Sequence, residues 1–113
     1  MLTKDALRQI GVQPEEGLTR CMNNEEFYLT LVKMVPEDAG FQKLQESLEK
    51  NDLDGAFEAA HALKGVLGNL SLTPLQEPVQ EITELLRSRT EMDYEPLLTT
   101  ILEHREELAK ICE

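Results

Sequence analysis

The chain has 113 residues, 41% of them hydrophobic, and its 22 Asp and Glu outnumber its 11 Lys and Arg to leave a net charge of −11. That length supports one core rather than two, and that hydrophobic share predicts a globular chain rather than a disordered one. So acidic a chain repels nucleic acid and anionic membranes, and with no Trp, two Tyr and three Phe it offers no base-stacking platform, so neither is expected as a partner.

Thr3 is placed to cap a short first helix, with Leu7 and Ile10 on one side and Gly11 as its stop. Pro14 suits the start of a second, Glu15 to Cys21, which Asn23-Asn24 interrupt. Asn23 and Glu26 then form a box-like pair before a helix whose stripe reads Phe27, Leu31, Met34 and Val35. Pro36 ends or kinks that helix, because it lacks an amide hydrogen and clashes with the preceding turn. Glu37 to Lys50 puts Phe41, Leu44 and Leu48 on one face, and Asn51-Asp52 supplies a turn or cap.

Leu53 to Leu70 reads as one amphipathic helix, with Leu53, Ala56, Ala60, Leu63, Leu67 and Leu70 spaced by three and four. Ser71 to Pro74 breaks the pattern. Thr73 can cap the next helix, with an irregular first turn expected at Pro78 and a regular helix to about Arg89 on Val79, Ile82, Leu85 and Leu86. Asp93 caps the last helix, whose stripe is Leu97, Ile101, Leu108 and Ile111 with His104 flanking the core. Strand-like alternation is missing. These signals predict an all-α fold, an antiparallel up-down four-helix bundle with additional short N-terminal helices. One domain is expected over residues 1–113, with an N-terminal helical segment at 3–22 and a bundle core at about 23–112.

No apolar run reaches transmembrane length, and Met1 to Asp5 does not begin a signal peptide. Cys21 and Cys112 are too few and too far apart for a disulfide framework or a zinc site, and His61 and His104 have no ligand cluster around them. No metal and no cofactor is expected, and the cysteine usage fits a reducing cytoplasm.

On a helical wheel the apolar stripe of the Leu53–Leu70 helix centres about 130° from His61, while Asp54, Phe57, Glu58, Lys64, Gly65 and Gly68 lie within about 60° of it. His61 is therefore expected to face solvent. A neutral imidazole can use a ring nitrogen as a nucleophile. Lys64 shares its face at i+3 and suits an incoming anion. Gly65 and Gly68 each sacrifice about 1 kcal/mol of helix propensity relative to alanine. Close docking of a partner explains both, and packing against another helix is the alternative for Gly68.

The run His61-Ala62-Leu63-Lys64-Gly65, followed by Gly68-Asn69-Leu70, resembles the histidine-containing phosphotransfer (HPt) family, whose hallmark is His-x-x-Lys-Gly on a helix of a four-helix bundle. The resemblance runs from about Pro14 to the C-terminus. It implies a phosphorelay carrier, not an autonomous enzyme, that accepts a phosphoryl group on His61 and passes it to a receiver-domain aspartate. It also implies that Lys64 stabilises the phosphorylated ring. The donor would be another receiver, often that of a hybrid sensor histidine kinase, and the receiver would bring the magnesium. Phe57, Glu58, Gly65, Gly68 and Asn69 are the candidate docking residues, Phe57 being equally readable as an edge of the core. Where many members carry Gly and small residues, this chain has Ser71, Val66 and Leu67. A monomer is expected. The alternative function is a helical adaptor that docks a signalling partner without phosphorylation, although such an adaptor would typically have lost the histidine.

Overall fold

Polar caps and prolines cut the chain into its elements, and the computed structural model describes all of residues 1–113. They are α1 (Lys4–Gln9), α2 (Glu15–Arg20), α3 (Glu25–Met34), a 3-10 turn at Val35–Glu37, α4 (Ala39–Glu49), α5 (Leu53–Asn69), α6 (Thr73–Arg87) and α7 (Glu95–Ile111), with no strand. Thr3 Oγ1 accepts from the Ala6 amide at 3.0 Å and Asp52 Oδ1 from Gly55 at 3.0 Å, while at α7, whose cap position is Tyr94, Asp93 Oδ1 accepts from the first helical amide, Glu95, at 3.0 Å. Each such cap satisfies an amide that the first helical turn leaves unpaired.

Four departures from the expected pattern have local causes. The cap of α3 is Asn24, whose Oδ1 accepts from the Phe27 amide at 3.0 Å. Asn23 instead completes the preceding turn with a φ of 58°. The buried face of α3 is accordingly Tyr28 and Val32, and Phe27 and Met34 are 51% and 62% exposed. Asp38, not Glu37, opens α4, accepting from the Gly40 amide at 2.7 Å. Thr73 is the first residue of α6 rather than its cap, and the helix runs unbroken through Pro78. Pro78 forfeits a single hydrogen bond in the second turn, and the buried row Leu75, Val79, Ile82 and Leu86 holds the helix across it. In α7 the core residue is Leu98 rather than Leu97, alongside Ile101 and Leu108.

Helices α4 to α7 run up and down as antiparallel neighbours, α5 packing between α4 and α6, and α6 against α7. Arg105 of α7 closes the ring. Its Nε donates to the Pro36 carbonyl at 2.7 Å, and its guanidinium lies 5.5 Å from the centroid of the Phe41 ring. Leu44, Ala56, Ala60, Leu67, Val79, Ile82, Ile101 and Leu108 form the fully buried centre. Each large aliphatic side chain there contributes about 1.5–3 kcal/mol. No helix is long and apolar enough to cross a membrane.

Helices α1 to α3 cover the end of the bundle where α5 stops. The last carbonyls of a helix need partners from elsewhere. Arg20 Nη1 donates to the Gly68 carbonyl at 2.7 Å, and the Tyr28 hydroxyl donates to the Leu70 carbonyl at 2.8 Å. The Arg20 cation also complements the negative end of the α5 dipole. Gly17 makes this approach possible, since a Cβ there would stand 2.7 Å from the Leu70 oxygen and 2.5 Å from the Tyr28 ring.

Burial, assisted by Cys21 and Glu15, pushes the Tyr28 phenol up to about 12. The folded chain thus keeps this proton to higher pH than the unfolded chain, whose tyrosine titrates near 10, and stability falls as pH rises from about 10 to 12. Tyr28→Phe should cost about 1 kcal/mol at neutral pH by unpairing the Leu70 carbonyl. It should also lose less stability than wild type over the alkaline interval, which urea melts at neutral and alkaline pH would reveal.

Candidate functional site

Burial of Ala56, Ala60, Leu63 and Leu67 fixes the rotation of α5 and leaves His61 exposed on its outer face. At 100° per residue, Phe57, Lys64 and Gly68 fall on one side of His61, and Ala62, Val66 and Asn69 on the other. The two sides differ in chemistry.

The first side faces α6 and is cationic. The Phe57 and His61 rings stack with centroids 5.6 Å apart and planes 17° from parallel. Phe57 is itself packed on the core cluster, so it is both a core edge and the support of the His61 ring. The Arg87 guanidinium lies 5.1 Å from the Phe57 centroid, a cation–π arrangement. Arg87 Nε is 3.3 Å from Glu84 Oε2, and Glu84 Oε1 is 3.9 Å from Lys64 Nζ. Lys64, one turn from His61 on α5, and Arg87, on α6 against the Phe57 ring, are thus linked through one carboxylate. Sequence reasoning missed Arg87. A basic residue in the last turn of a helix is explained by the dipole alone, and only the packing of α6 on α5 brings it to Phe57.

The second side is mainly apolar, with Glu37 and Asp38 at its edge. Val66 is 37% and Met34 62% exposed, and with Leu31, Val35, Leu70 and Asn69 they line a groove of about 550 Å³ between α5 and the α3–α4 corner. Because Tyr28 and Val32 are the buried face of α3, Met34 is left outward at its rim.

The glycines behave differently from one another. A Cβ at Gly65 would meet nothing within 4 Å, so the surface one turn beyond His61 is open. A Cβ at Gly68 would stand 3.0 Å from Gln76 Nε2, and its carbonyl is already held by Arg20. Of the two readings of Gly68, this contact favours packing against another helix. Gly68 is a site of close packing against α6. Glu58 and Asn69 are exposed as expected, Asn69 lying at the lip of the apolar groove. His104 is elsewhere, its Nδ1 3.1 Å from Glu107 Oε1 on α7. No group of three or more His, Cys, Asp or Glu side chains is gathered where it could hold a metal ion.

An exposed imidazole stacked on an aromatic ring, with a lysine one turn along its own face and an open surface beyond it, can take up a small anionic group and present it to a partner. The family model described as Hpt domain matches residues 26–112, from the first turn of α3 through α7. No curated protein and no solved structure matches the chain.

Because Gly65 has room around it and Gly68 does not, their alanine variants should differ. Gly65→Ala should gain about 0.5–1 kcal/mol from helix propensity. Gly68→Ala should gain less or nothing, since the Gln76 side chain must give way. Denaturant midpoints of the two variants measure this difference.

Proposed function

Because the chain belongs to the Hpt domain family, whose members serve histidine phosphotransfer in two-component phosphorelays, we propose that His61 is its phosphoacceptor. In this proposal His61 takes a phosphoryl group from a receiver-domain aspartate, that of a hybrid histidine kinase among the candidate donors, and passes it to the aspartate of a response regulator. The single observation that carries the proposal is the exposed His61 ring, which stands beside an unobstructed Gly65 with Lys64 on the same face.

Transfer onto the ring begins with the lone pair of its unprotonated nitrogen, in line with the departing aspartate oxygen. The P–O bond of the acyl phosphate breaks, a P–N bond forms, and the aspartate leaves as a carboxylate. The imidazole keeps its other N–H and gains the positive charge. Lys64 and Arg87 then lie on the side from which an anion on the ring is best stabilised. The chain contributes a nucleophile and a surface, so the receiver is expected to supply the magnesium and the remaining catalytic groups. The chain would then be a carrier rather than an autonomous enzyme.

The apolar groove beside Val66 and Met34 gives a receiver a non-polar footing next to the ring, and the acidic remainder of the surface discourages non-specific contacts. On this reading the groove is reserved for the partner and the free protein is a monomer. A cytoplasmic location accompanies it, consistent with the unpaired Cys21 and Cys112. A non-phosphorylated adaptor would use the same groove but has no need of an open Gly65 or a bare histidine.

A phosphorylated receiver with magnesium should label the wild-type chain in an acid-labile, base-stable form and leave His61→Gln unlabelled. Lys64→Ala should retain the label but slow transfer roughly tenfold, the scale of a hydrogen bond to a charged group. A panel of receivers that leaves the folded wild type unlabelled would favour the adaptor.

A further inference from the structure

The two cations around the Phe57–His61 stack, Lys64 one turn along α5 and Arg87 on the Phe57 ring, are already engaged. Glu84, on the outer face of α6 with 54% of its side chain exposed, receives Lys64 from α5 at 3.9 Å and Arg87 from its own helix at 3.3 Å. Arg87 is also committed to the Phe57 ring on which His61 stacks. A carboxylate in this position does not touch the imidazole. It acts through the groups that do the neutralising.

Resting on the carrier reading above, we infer that Glu84 is a positioning residue that limits how firmly His61 retains a phosphoryl group. In the unphosphorylated chain Glu84 is the counter-ion that keeps Lys64 and Arg87 drawn towards α6. A phosphoryl group on His61 competes with Glu84 for the same two cations and is repelled by its charge. Exposed ion pairs are weak enough for this competition to be reversible at every turnover. The consequence suits an intermediate that must give its phosphoryl group away, because a fully neutralised phosphohistidine would be a poor donor.

The effect belongs to the equilibrium of the phosphorylated ring, so it can be read without a receiver. Phosphoramidate donates its phosphoryl group to an imidazole nitrogen. The P–N bond to ammonia breaks, the P–N bond to the ring forms, and ammonia leaves with the three protons it carried. At a fixed phosphoramidate-to-ammonia ratio, phosphorus NMR gives the phosphorylated fraction at the resonance that His61→Gln abolishes.

Glu84→Gln should move this equilibrium about two- to fivefold towards phosphohistidine, the range set by exposed ion pairs. Glu84→Asp should restore most of the wild-type value. Glu81→Gln, which removes the same charge from an exposed position on α6 that makes no ion pair, should change it little. No shift in Glu84→Gln, an equal shift in Glu81→Gln, or a shift towards the unphosphorylated chain would each overturn the inference. If His61 gains a phosphoryl group from phosphoramidate but from no receiver, the carrier reading fails while the role of Glu84 is still decided by these variants. If the wild type gives no His61 resonance with phosphoramidate, the inference about Glu84 falls, while labelling by a receiver alone decides the carrier reading.

Discussion

Burying Ala60, Leu63 and Leu67 between α4 and α6 fixes the rotation of α5, and everything at the surface of this helix depends on that rotation. With two leucines committed to the core, a slip of one residue would turn Leu63 or Leu67 into water at a cost of about 1.5–3 kcal/mol each. His61 therefore points outward because its neighbours cannot. The same rotation places Lys64 and Phe57 towards α6 and Val66 towards α3. The end of the helix is held as firmly as its face, with Arg20 and Tyr28 pairing the carbonyls of Gly68 and Leu70.

The result is a histidine on a rigid ridge with two unlike slopes. One slope carries Lys64, Arg87 and the Phe57 ring. The other is the groove lined by Val66, Met34 and Leu31. Charge and apolar surface serve different ends in recognition, charge favouring a transferred anion and apolar area favouring a partner's own surface. Gly65 between them sacrifices helix propensity to keep the ridge low. On the carrier reading, stability and function are set against each other at this position, whereas at Gly68 the missing side chain meets Gln76.

The parts of this arrangement that obey a single periodicity were legible in the sequence. The outward direction of His61, the shared face of Lys64 and the core stripe of α5 all come from 3.6 residues per turn. The face of α3 was not. Tyr28 is polar enough to be left out of an apolar stripe, yet its ring is fully buried because its hydroxyl finds the Leu70 carbonyl 42 residues away. A stripe drawn through Phe27 faces away from the true core side of α3, so the groove beside Met34 is not legible from it. Arg87 and Glu84 were invisible for a related reason, since their meaning depends on which helix packs against which. The unbroken course of α6 through Pro78 likewise reflects burial of its row of aliphatic residues, a tertiary gain that outweighs a local penalty.

The central claim is that the ridge of α5 around His61 is where a receiver domain meets this protein. Amide chemical-shift mapping with an unphosphorylated receiver and magnesium tests it most directly, because it reports docking without depending on turnover. The predicted result is a contiguous set of perturbations at His61, Ala62, Lys64, Gly65, Val66 and Met34, with the outer face of α7 around Glu103 and Glu107 unmoved. Perturbations centred on α7 or on α1, with the His61 ridge silent, would contradict it.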